Sequence, residues 1–205
     1  MQDLFHTPGQ FEHLALQDAD VSLLREIRTA LPYERLLERL RKETVWRQEQ
    51  VKIYGKTHDQ PRLVAWYGDS GMRYDYSGIS LHPLPWTNLL LSIKFDVEAL
   101  TQHRFNSVFL NLYRDHRDSM GFHADDEREL GREPVIASLS FGATREFVFK
   151  HKKNPGLPAH KVPLSAGDLL LMKGRTQEFW KHGIMKQTKP CGPRINLTFR
   201  TIYPK

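Results

Sequence analysis

Two histidines and one aspartate, His123, Asp125 and His182, carry the side chains that bind divalent metals of intermediate softness. His123 and Asp125 are two residues apart, so in an extended segment both side chains would point to the same side. Two imidazoles and one carboxylate around a metal such as iron(II) leave about three of its coordination positions open. The His-x-Asp pair also occurs by chance, and His151 and His160 are rival sources of the third ligand. These residues alone indicate a mononuclear metal site suited to oxygen activation.

Residues 194–200 alternate between polar and apolar side chains and carry an arginine at each end. On a strand, Arg194 and Arg200 would share one face and lie roughly 20 Å apart, at about 3.3 Å per residue. Two side chains of about 6 to 7 Å that lean toward each other leave a gap on the order of a five-carbon diacid. Arginine suits this task because its planar fork binds carboxylates through two hydrogen bonds. The same alternation is common in strands with a solvated polar face, so both interpretations stay open on spacing alone.

Residues 108–113 form a second alternating segment. Asn111 and Tyr113 share one face with Phe109, while valine and leucine residues occupy the other face. The pattern predicts a strand that presents the amide and the phenol side by side.

The chain resembles the iron(II)/2-oxoglutarate dioxygenases of the AlkB family in four segments. Within that family it is most similar to the branch that contains the human nuclear DNA-repair homologs two and three, and the similarity extends over about residues 51–202. It departs from the family at residues 173–175, where other members often carry an Asn-His-Pro-like loop. The four segments are NLY at 111–113, HADDE at 123–127, WKH at 180–182 and RINLTFR at 194–200.

The resemblance implies which residues bind iron and the co-substrate. It identifies His123, Asp125 and His182 as the iron(II) ligands and gives His182 preference over its rivals. It also implies that 2-oxoglutarate binds among five side chains, with Arg194 expected at the carboxylate far from the metal. These side chains are Asn111, Tyr113, Arg194, Asn196 and Arg200.

The predicted hairpin around residue 54 is the first candidate for substrate contact. Tyr54 precedes a glycine and so lies at the expected hairpin tip. It could simply fold back onto the sheet, but apolar side chains can also wedge between bases and help to expel a nucleotide from the stack. In the similar repair enzymes this hairpin occupies that position, so we predict that Tyr54 acts as such a wedge and that Arg62 contacts the nucleic-acid backbone.

A pocket for the damaged base is the second candidate for substrate contact. The resemblance aligns Tyr74 and Tyr76, which share a strand face, with the walls of this pocket. Adenine methylated at N1 and cytosine methylated at N3 are cations, so π-faces and carboxylates should favour them over normal bases. Asp126 and Glu127, next to the metal ligand, fit that requirement, although they could merely balance nearby arginines.

Composition and charge restrict the class of protein. The 205 residues are 40% hydrophobic and 26% charged, as in a soluble globular protein of one domain. No apolar run is long enough for a bilayer, no secretory signal is evident, and the single cysteine suits a reducing compartment. We therefore expect a monomeric protein of the bacterial cytosol or the eukaryotic nucleus, neither secreted nor bound to a membrane.

The charge is unevenly distributed along the chain. Residues 103–205 contain 18 Lys and Arg against 10 Asp and Glu, whereas residues 1–102 contain 12 against 14. The half that carries the motifs therefore accounts for the net charge of +6. A basic catalytic domain is suited to phosphate backbones, although many basic proteins bind no nucleic acid.

Turn signals separate many short apolar or alternating segments, a pattern typical of a jelly roll or barrel. We expect a mostly β fold with flanking helices, built as a double-stranded β-helix core. Residues 1–205 would form one catalytic domain, with nucleotide-recognition helices and hairpins in 1–102 and the core in 103–205. Three helices are predicted: one capped by Asp20, one starting at Pro32 and one over residues 87–102.

The resemblance implies the oxidative demethylation of N1-methyladenine and N3-methylcytosine in alkylated DNA, using O2 and releasing formaldehyde, succinate and CO2. The nearest alternative is the same chemistry on RNA, a protein side chain or a lipid. A zinc hydrolase could use the same ligands but would not need the arginines of a diacid pocket. The third alternative, an inactive nucleic-acid-binding module, would not require an intact ligand set.

Overall fold

A computed structural model of the chain describes residues 9–53, 55–71, 74–76 and 79–203. Within these residues it contains sheets of eight and four strands, two separate hairpins and three α-helices. The helices are α1 (Tyr33–Glu43), α2 (Asn88–Thr101) and α3 (Thr176–Phe179). The strands are β1 (Glu12–His13), β2 (Asp20–Leu24), β3 (Gln50–Ile53), β4 (Lys56–Asp59), β5 (Leu63–Gly68), β6 (Tyr74–Tyr76), β7 (Ile79–Leu81), β8 (Leu84–Pro85), β9 (Ser107–Tyr113), β10 (Met120–His123), β11 (Ile136–Gly142), β12 (Arg145–His151), β13 (His160–Leu164), β14 (Leu169–Lys173), β15 (Trp180–Ile184) and β16 (Arg194–Arg200).

From β9 to β16 the chain passes back and forth between the two larger sheets. The eight-stranded sheet has the order β1-β2-β14-β11-β16-β9-β5-β8, and the four-stranded sheet has the order β10-β15-β12-β13. Neighbouring strands are antiparallel throughout, except that β5 and β8 are parallel. Two sheets connected in this way form a jelly roll, so the expected fold class is confirmed.

The large sheet separates two hydrophobic clusters. On one side, Leu110 and Leu197 belong to a cluster that includes Leu36 of α1 and residues of α2. The other cluster combines Met172 of the large sheet with Phe149 of the small sheet. Burial of apolar surface on both sides stabilises the sheet, and the space between the two sheets is the place where polar side chains of β9 and β16 meet.

The register of three central strands brings these polar side chains onto one face. Tyr113 and Asn111 of β9 are paired with Arg194 and Asn196 of β16. On the other side of β16, Asn196 is paired with Ser140 of β11. Directly opposed residues of antiparallel strands present their side chains on the same face. The alternation of the two segments therefore becomes one polar surface inside the jelly roll.

The helix predicted after Asp20 is wrong, because residues 20–24 form β2. This strand pairs with β14, with Ser22 opposite Leu171, and Val21 and Leu23 are fully buried. Apolar residues at this short spacing fit either a helix or a strand, and pairing with β14 decides between them.

The other two predicted helices are confirmed. α1 follows Pro32 and buries Leu36 and Leu40, as expected where proline restricts the chain at a helix start. α2 is capped by Thr87, whose hydroxyl accepts a hydrogen bond from the Leu90 amide at 3.2 Å. Both helices cover the outer face of the large sheet.

The N-terminal half of the chain contributes to both the core and two isolated hairpins. β2 and β5 belong to the large sheet, so this sheet extends across residue 102. By contrast, β3 pairs only with β4, and β6 pairs only with β7, among the described residues. No helix in the described part of the chain combines the length and apolar character needed to cross a bilayer.

Candidate metal centre and co-substrate pocket

His123, Asp125 and His182 lie together between the two sheets. His123 ends β10 and is paired with His182 of β15, and Asp125 follows two residues after His123. One potential ligand atom from each side chain lies within 4.8 Å of the other two. The two imidazole rings are in contact, with centroids 4.5 Å apart. The structure therefore brings the three predicted ligands to one point.

The hydrogen bonding of these side chains fits a metal ion. His123 Nδ1 lies 3.0 Å from the Gly121 carbonyl oxygen, which favours a proton on Nδ1 and leaves Nε2 free to bind a metal. Asp125 Oδ2 and His182 Nδ1 are buried, and neither has a hydrogen-bond partner among the described residues. A buried carboxylate oxygen without a hydrogen-bond partner is costly, and a cation held beside Asp125 Oδ2 and His182 Nε2, which are 3.7 Å apart, would remove that cost for the oxygen.

Electrostatics keep Asp125 and His182 in the protonation states that bind metals. Burial lowers the pKa of His182 to about 3, so its imidazole is neutral at pH 7. Burial would raise the pKa of Asp125, but the positive charge of Arg200 opposes that effect, and the pKa is below its usual value. Asp125 also accepts a hydrogen bond through Oδ1 from Arg200. The site thus offers one carboxylate and neutral imidazole nitrogen.

The rival third ligands lie elsewhere. His151 is buried at the end of β12, where its Nδ1 accepts a hydrogen bond from the Asn154 amide at 2.8 Å. His160 starts β13 and is paired with Phe149. Neither belongs to the cluster of His123, Asp125 and His182.

A cavity of about 420 Å³ opens beside this cluster. It is lined by the three predicted ligands and also by all five residues predicted to bind 2-oxoglutarate. These five are Asn111, Tyr113, Arg194, Asn196 and Arg200. The resemblance therefore led to residues that share one cavity, although they come from two strands far apart in sequence.

Arg194 supplies positive charge to the wall of the cavity. Its Nη2 donates to Ser140 Oγ at 2.9 Å, whereas Nε and Nη1 are buried and have no hydrogen-bond partner among the described residues. Its guanidinium lies over the Tyr113 ring, 5.3 Å from the centroid. Burial lowers the pKa of Arg194, but an arginine remains charged in proteins. A carboxylate would satisfy these unused donors.

Tyr113 is a hydrogen-bond donor at the same place. Burial raises its pKa, against the opposing effect of Arg194, Arg62 and Arg145. The phenol therefore stays protonated at neutral pH and can donate to an anion. Arg145 contributes its charge while its guanidinium donates to the carbonyl oxygens of Asp115, Asp118 and Met185.

Arg62 lies in the cavity wall, where sequence reasoning did not place it. It is only 7% exposed and donates from Nε to Asn111 Oδ1 at 2.7 Å. An arginine that contacts a phosphate backbone should instead be accessible at the surface. The structure therefore favours a role for Arg62 in orienting Asn111. Strand register explains this contact, because Arg62 immediately precedes β5 and Val64, two residues later, is paired with Asn111.

The remaining predicted substrate residues have different surroundings. Glu127 lines the cavity, and its Oε2 is buried without a hydrogen-bond partner among the described residues. Asp126 is exposed and forms an ion pair with Lys152 at 2.7 Å, so it does not line the cavity. Tyr54 lies outside the described residues. Tyr74 and Tyr76 are the ends of β6, of which only the backbone is described.

Serines and aromatic rings complete the cavity and were not predicted. Ser138 Oγ accepts a hydrogen bond from Asn196 at 2.7 Å, as Ser140 does from Arg194. Phe147 stacks on the His182 ring at 5.0 Å between centroids. These partners depend on strand register, which local sequence does not reveal.

Comparisons with known proteins agree with this geometry. Residues 20–200 match the model of the 2OG-Fe(II) oxygenase superfamily. The mouse alpha-ketoglutarate-dependent dioxygenase alkB homolog 3 is 45% identical over 177 residues, which cover 82% of this chain and 61% of that protein. The human DNA oxidative demethylase ALKBH2 is 45% identical over 159 residues, covering 75% of this chain and 61% of that protein.

The fold is also similar to a solved structure, that of OsALKBH1. The two share a TM-score of 0.65 at 16% identity, over 94% of this chain and 100% of the other. The chain spans about three fifths of the length of the mouse and human relatives. Its resemblance to AlkB proteins is thus confirmed, and the chain belongs to the 2OG-Fe(II) oxygenase superfamily.

Proposed function

We propose that this chain is an iron(II)/2-oxoglutarate-dependent dioxygenase that removes methyl groups from N1-methyladenine and N3-methylcytosine in DNA. The observation that carries the proposal is a His-Asp-His cluster, in which the aspartate and the second histidine are buried, in one cavity with an arginine that has unused donors. A zinc hydrolase would not require that arginine. The relatives, an alpha-ketoglutarate-dependent dioxygenase and a DNA oxidative demethylase by name, support the choice of reaction and substrate.

The chain's own residues would hold the metal and the co-substrate. Iron(II) would be bound by His123, Asp125 and His182. When bound, it would supply the redox chemistry that oxidises 2-oxoglutarate and the substrate methyl group. Arg194 and the protonated phenol of Tyr113 would bind a carboxylate through the donors described above. In balance, 2-oxoglutarate, O2 and the N-methyl base give succinate, CO2 and an N-hydroxymethyl base. That base then loses formaldehyde and recovers its normal form.

The same cavity has features that would select a cationic base. Glu127 places a buried carboxylate oxygen, without a partner among the described residues, at its wall. The rings of Trp66, Phe109 and Phe147 also line it. Negative charge and π-faces attract a base that methylation has made cationic, whereas a neutral base would gain less. We therefore assign Glu127, rather than the exposed Asp126, to base recognition.

A cationic face on the small sheet supports a nucleic-acid substrate. Lys150 and Lys181 are paired across β12 and β15, and both ammonium groups lie over the Phe122 ring, at 4.3 and 5.9 Å from its centroid. Neither lysine forms an ion pair with another described residue. Phe122 directly precedes His123 in β10 and Lys181 directly precedes His182 in β15, so this charge lies beside two of the candidate metal ligands. Lysines without carboxylate partners can bind phosphates and release counterions.

The proposal is tested by 2-oxoglutarate turnover on a panel of oligonucleotides. We expect equal amounts of succinate and formaldehyde with DNA that contains N1-methyladenine or N3-methylcytosine, and far less with the unmethylated DNA of the same sequence. Turnover on the matching methylated RNA alone would change the substrate to RNA. Activity that persists without O2 and 2-oxoglutarate would contradict oxygenase chemistry and favour a hydrolase.

The oligomeric state and the cellular compartment are further parts of the proposal. We propose that the chain acts as a monomer in the bacterial cytosol or the eukaryotic nucleus. Size-exclusion chromatography with light scattering would test the oligomeric state, and fluorescence of a tagged chain would test the compartment.

A further inference from the structure

The metal ligand Asp125 lies beyond the end of β10, so strand pairing does not hold it. Its backbone amide instead donates to Gln177 Oε1 at 2.9 Å. Gln177 is almost completely buried in α3, the helix that leads directly into β15 and His182. One hydrogen bond thus connects the segments that carry two of the three ligands, and it does not require the metal.

Gln177 is itself fixed in orientation by further contacts. Its Nε2 lies 3.5 Å from the sulfur of Met172 in β14. Its backbone carbonyl accepts a hydrogen bond from Lys152 Nζ at 2.7 Å. Both ends of the side-chain amide are therefore occupied, and Oε1 is held toward the Asp125 amide.

Lys152 makes a second connection between helix α3 and the segment that follows β10. Its ammonium group also forms the ion pair with Asp126, the residue after the ligand. Its backbone amide donates to the Phe179 carbonyl at 2.6 Å, at the C-terminal end of α3. The side chain is 26% exposed, so the ion pair is partly shielded from solvent and the lysine has two partners on opposite sides.

We propose that Gln177 and Lys152 are positioning residues that hold the Asp125 carboxylate in place for the metal. This inference rests on the proposed metal centre and deepens it. Without these contacts the Asp125 carboxylate would still pair with Arg200, but its backbone amide would lose its partner, and metal binding would have to order the segment from Ala124 to Glu127. Partners in the second layer around a metal typically change its affinity by about 10- to 100-fold when they are removed.

The first test uses Gln177→Leu, which keeps a similar volume and removes the acceptor for the Asp125 amide. Mn(II), which does not turn over, is titrated by calorimetry into the full chain with 2-oxoglutarate present. We expect about 10- to 100-fold weaker Mn(II) binding. The matched control is Glu178→Gln, on the same helix, which disrupts ion pairs with Lys153 and Arg175 but leaves Asp125 untouched. We expect its Mn(II) affinity to match that of the wild type.

The second test separates a positioning role from a general contribution to folding. Lys152→Met removes the interactions with Asp126 and Gln177, whereas Lys152→Arg keeps a cation and should restore most of the affinity. Lys153→Met is the control, because Lys153 pairs with Glu178 and not with the ligand segment. Metal-free melting temperatures should differ little between Lys152→Met and Lys153→Met, while only the former binds Mn(II) more weakly.

Two results would overturn the inference. One is Mn(II) affinity in Gln177→Leu equal to that of Glu178→Gln. The other, which applies even if Gln177→Leu does not fold, is equal Mn(II) affinity in Lys152→Met and Lys153→Met. A wild-type chain that binds no Mn(II) would instead contradict the metal centre itself, so the two failures are distinguishable.

Discussion

The metal and co-substrate side of the cavity differs from the substrate side in the way its residues are held. The residues of the first group lie on β9, β10, β15 and β16 or directly beside them, inside sheets whose strands are paired on both sides or face a second sheet. The two hairpins expected to contact the nucleotide each pair only with themselves among the described residues, and β4 is exposed along its whole length. In the proposed function, the metal and co-substrate would be held by paired strands of the two sheets, whereas the expected hairpin contacts with the nucleotide would come from strands outside both sheets.

The largest expected effect follows from removing a metal ligand. Asp125→Ala or His123→Ala should abolish succinate release, because the two remaining ligands would not retain the metal. Circular dichroism should show that the fold is retained. A folded variant that still releases succinate would refute the assignment of the metal ligands. It would also remove the contrast between the metal side and the substrate side of the cavity.

Arg194→Met should have the next largest effect and should act on the co-substrate. Hydrogen bonds to a charged group contribute about 1.5 to 3 kcal/mol each, so we expect KM for 2-oxoglutarate to rise by roughly 10- to 100-fold. Arg117→Met is the control, because Arg117 is an exposed arginine paired with Asp115. An unchanged KM for 2-oxoglutarate in Arg194→Met would show that the diacid binds elsewhere.

Glu127→Gln tests whether charge selects the base. We expect kcat/KM on N1-methyladenine to fall by about tenfold, from loss of one charge-assisted hydrogen bond. Activity on a neutral alkylated base should fall less. Asp126→Asn is the matched control, since that neighbouring carboxylate pairs with Lys152. Equal losses in both variants would contradict base recognition by Glu127.

Tyr54→Ala tests the hairpin as a wedge. Extruding a base from a duplex costs a few kcal/mol, and a single-stranded substrate avoids most of that cost. We therefore expect a several-fold loss of kcat/KM on duplex DNA and little loss on the same strand alone. Similar losses on both substrates would remove the wedge hypothesis.

The smallest effect is expected from the cationic face. Lys150→Met combined with Lys181→Met should weaken DNA binding modestly and reduce the dependence of log Kd on log salt by about one unit for each phosphate that the protein no longer neutralises. Turnover of 2-oxoglutarate in the absence of DNA should not change. A salt dependence identical to that of Lys42→Met, a variant at the exposed end of α1, would show that this face does not bind phosphates.

The grouping of the candidate co-substrate residues in one cavity could be predicted because alternation along a strand fixes which side chains share a face. Asn111, Tyr113, Arg194 and Asn196 needed only that rule and the resemblance to be grouped correctly. The segment after Asp20 was predicted wrongly as a helix because its apolar spacing satisfies two periods, and only pairing with β14 resolves them.

The partners that hold the site could not be predicted from local sequence. Arg62 reaches Asn111 across 49 positions, and Gln177 reaches Asp125 across 52. Such contacts depend on how sheets and loops are arranged in space, and no periodicity marks them. These long-range contacts also hold the side chains of the site in place, which suitable residue types alone would not do.

The ion pair between Arg200 and Asp125 determines how many bonds the carboxylate can offer a metal. Arg200 occupies Oδ1, and Oδ2, which lies 3.7 Å from His182 Nε2, has no hydrogen-bond partner among the described residues. A carboxylate with one oxygen engaged in this way favours monodentate over bidentate coordination. The Arg200 guanidinium would thereby leave Asp125 one free oxygen to offer a bound ion, and the rest of the ion's positions to other partners.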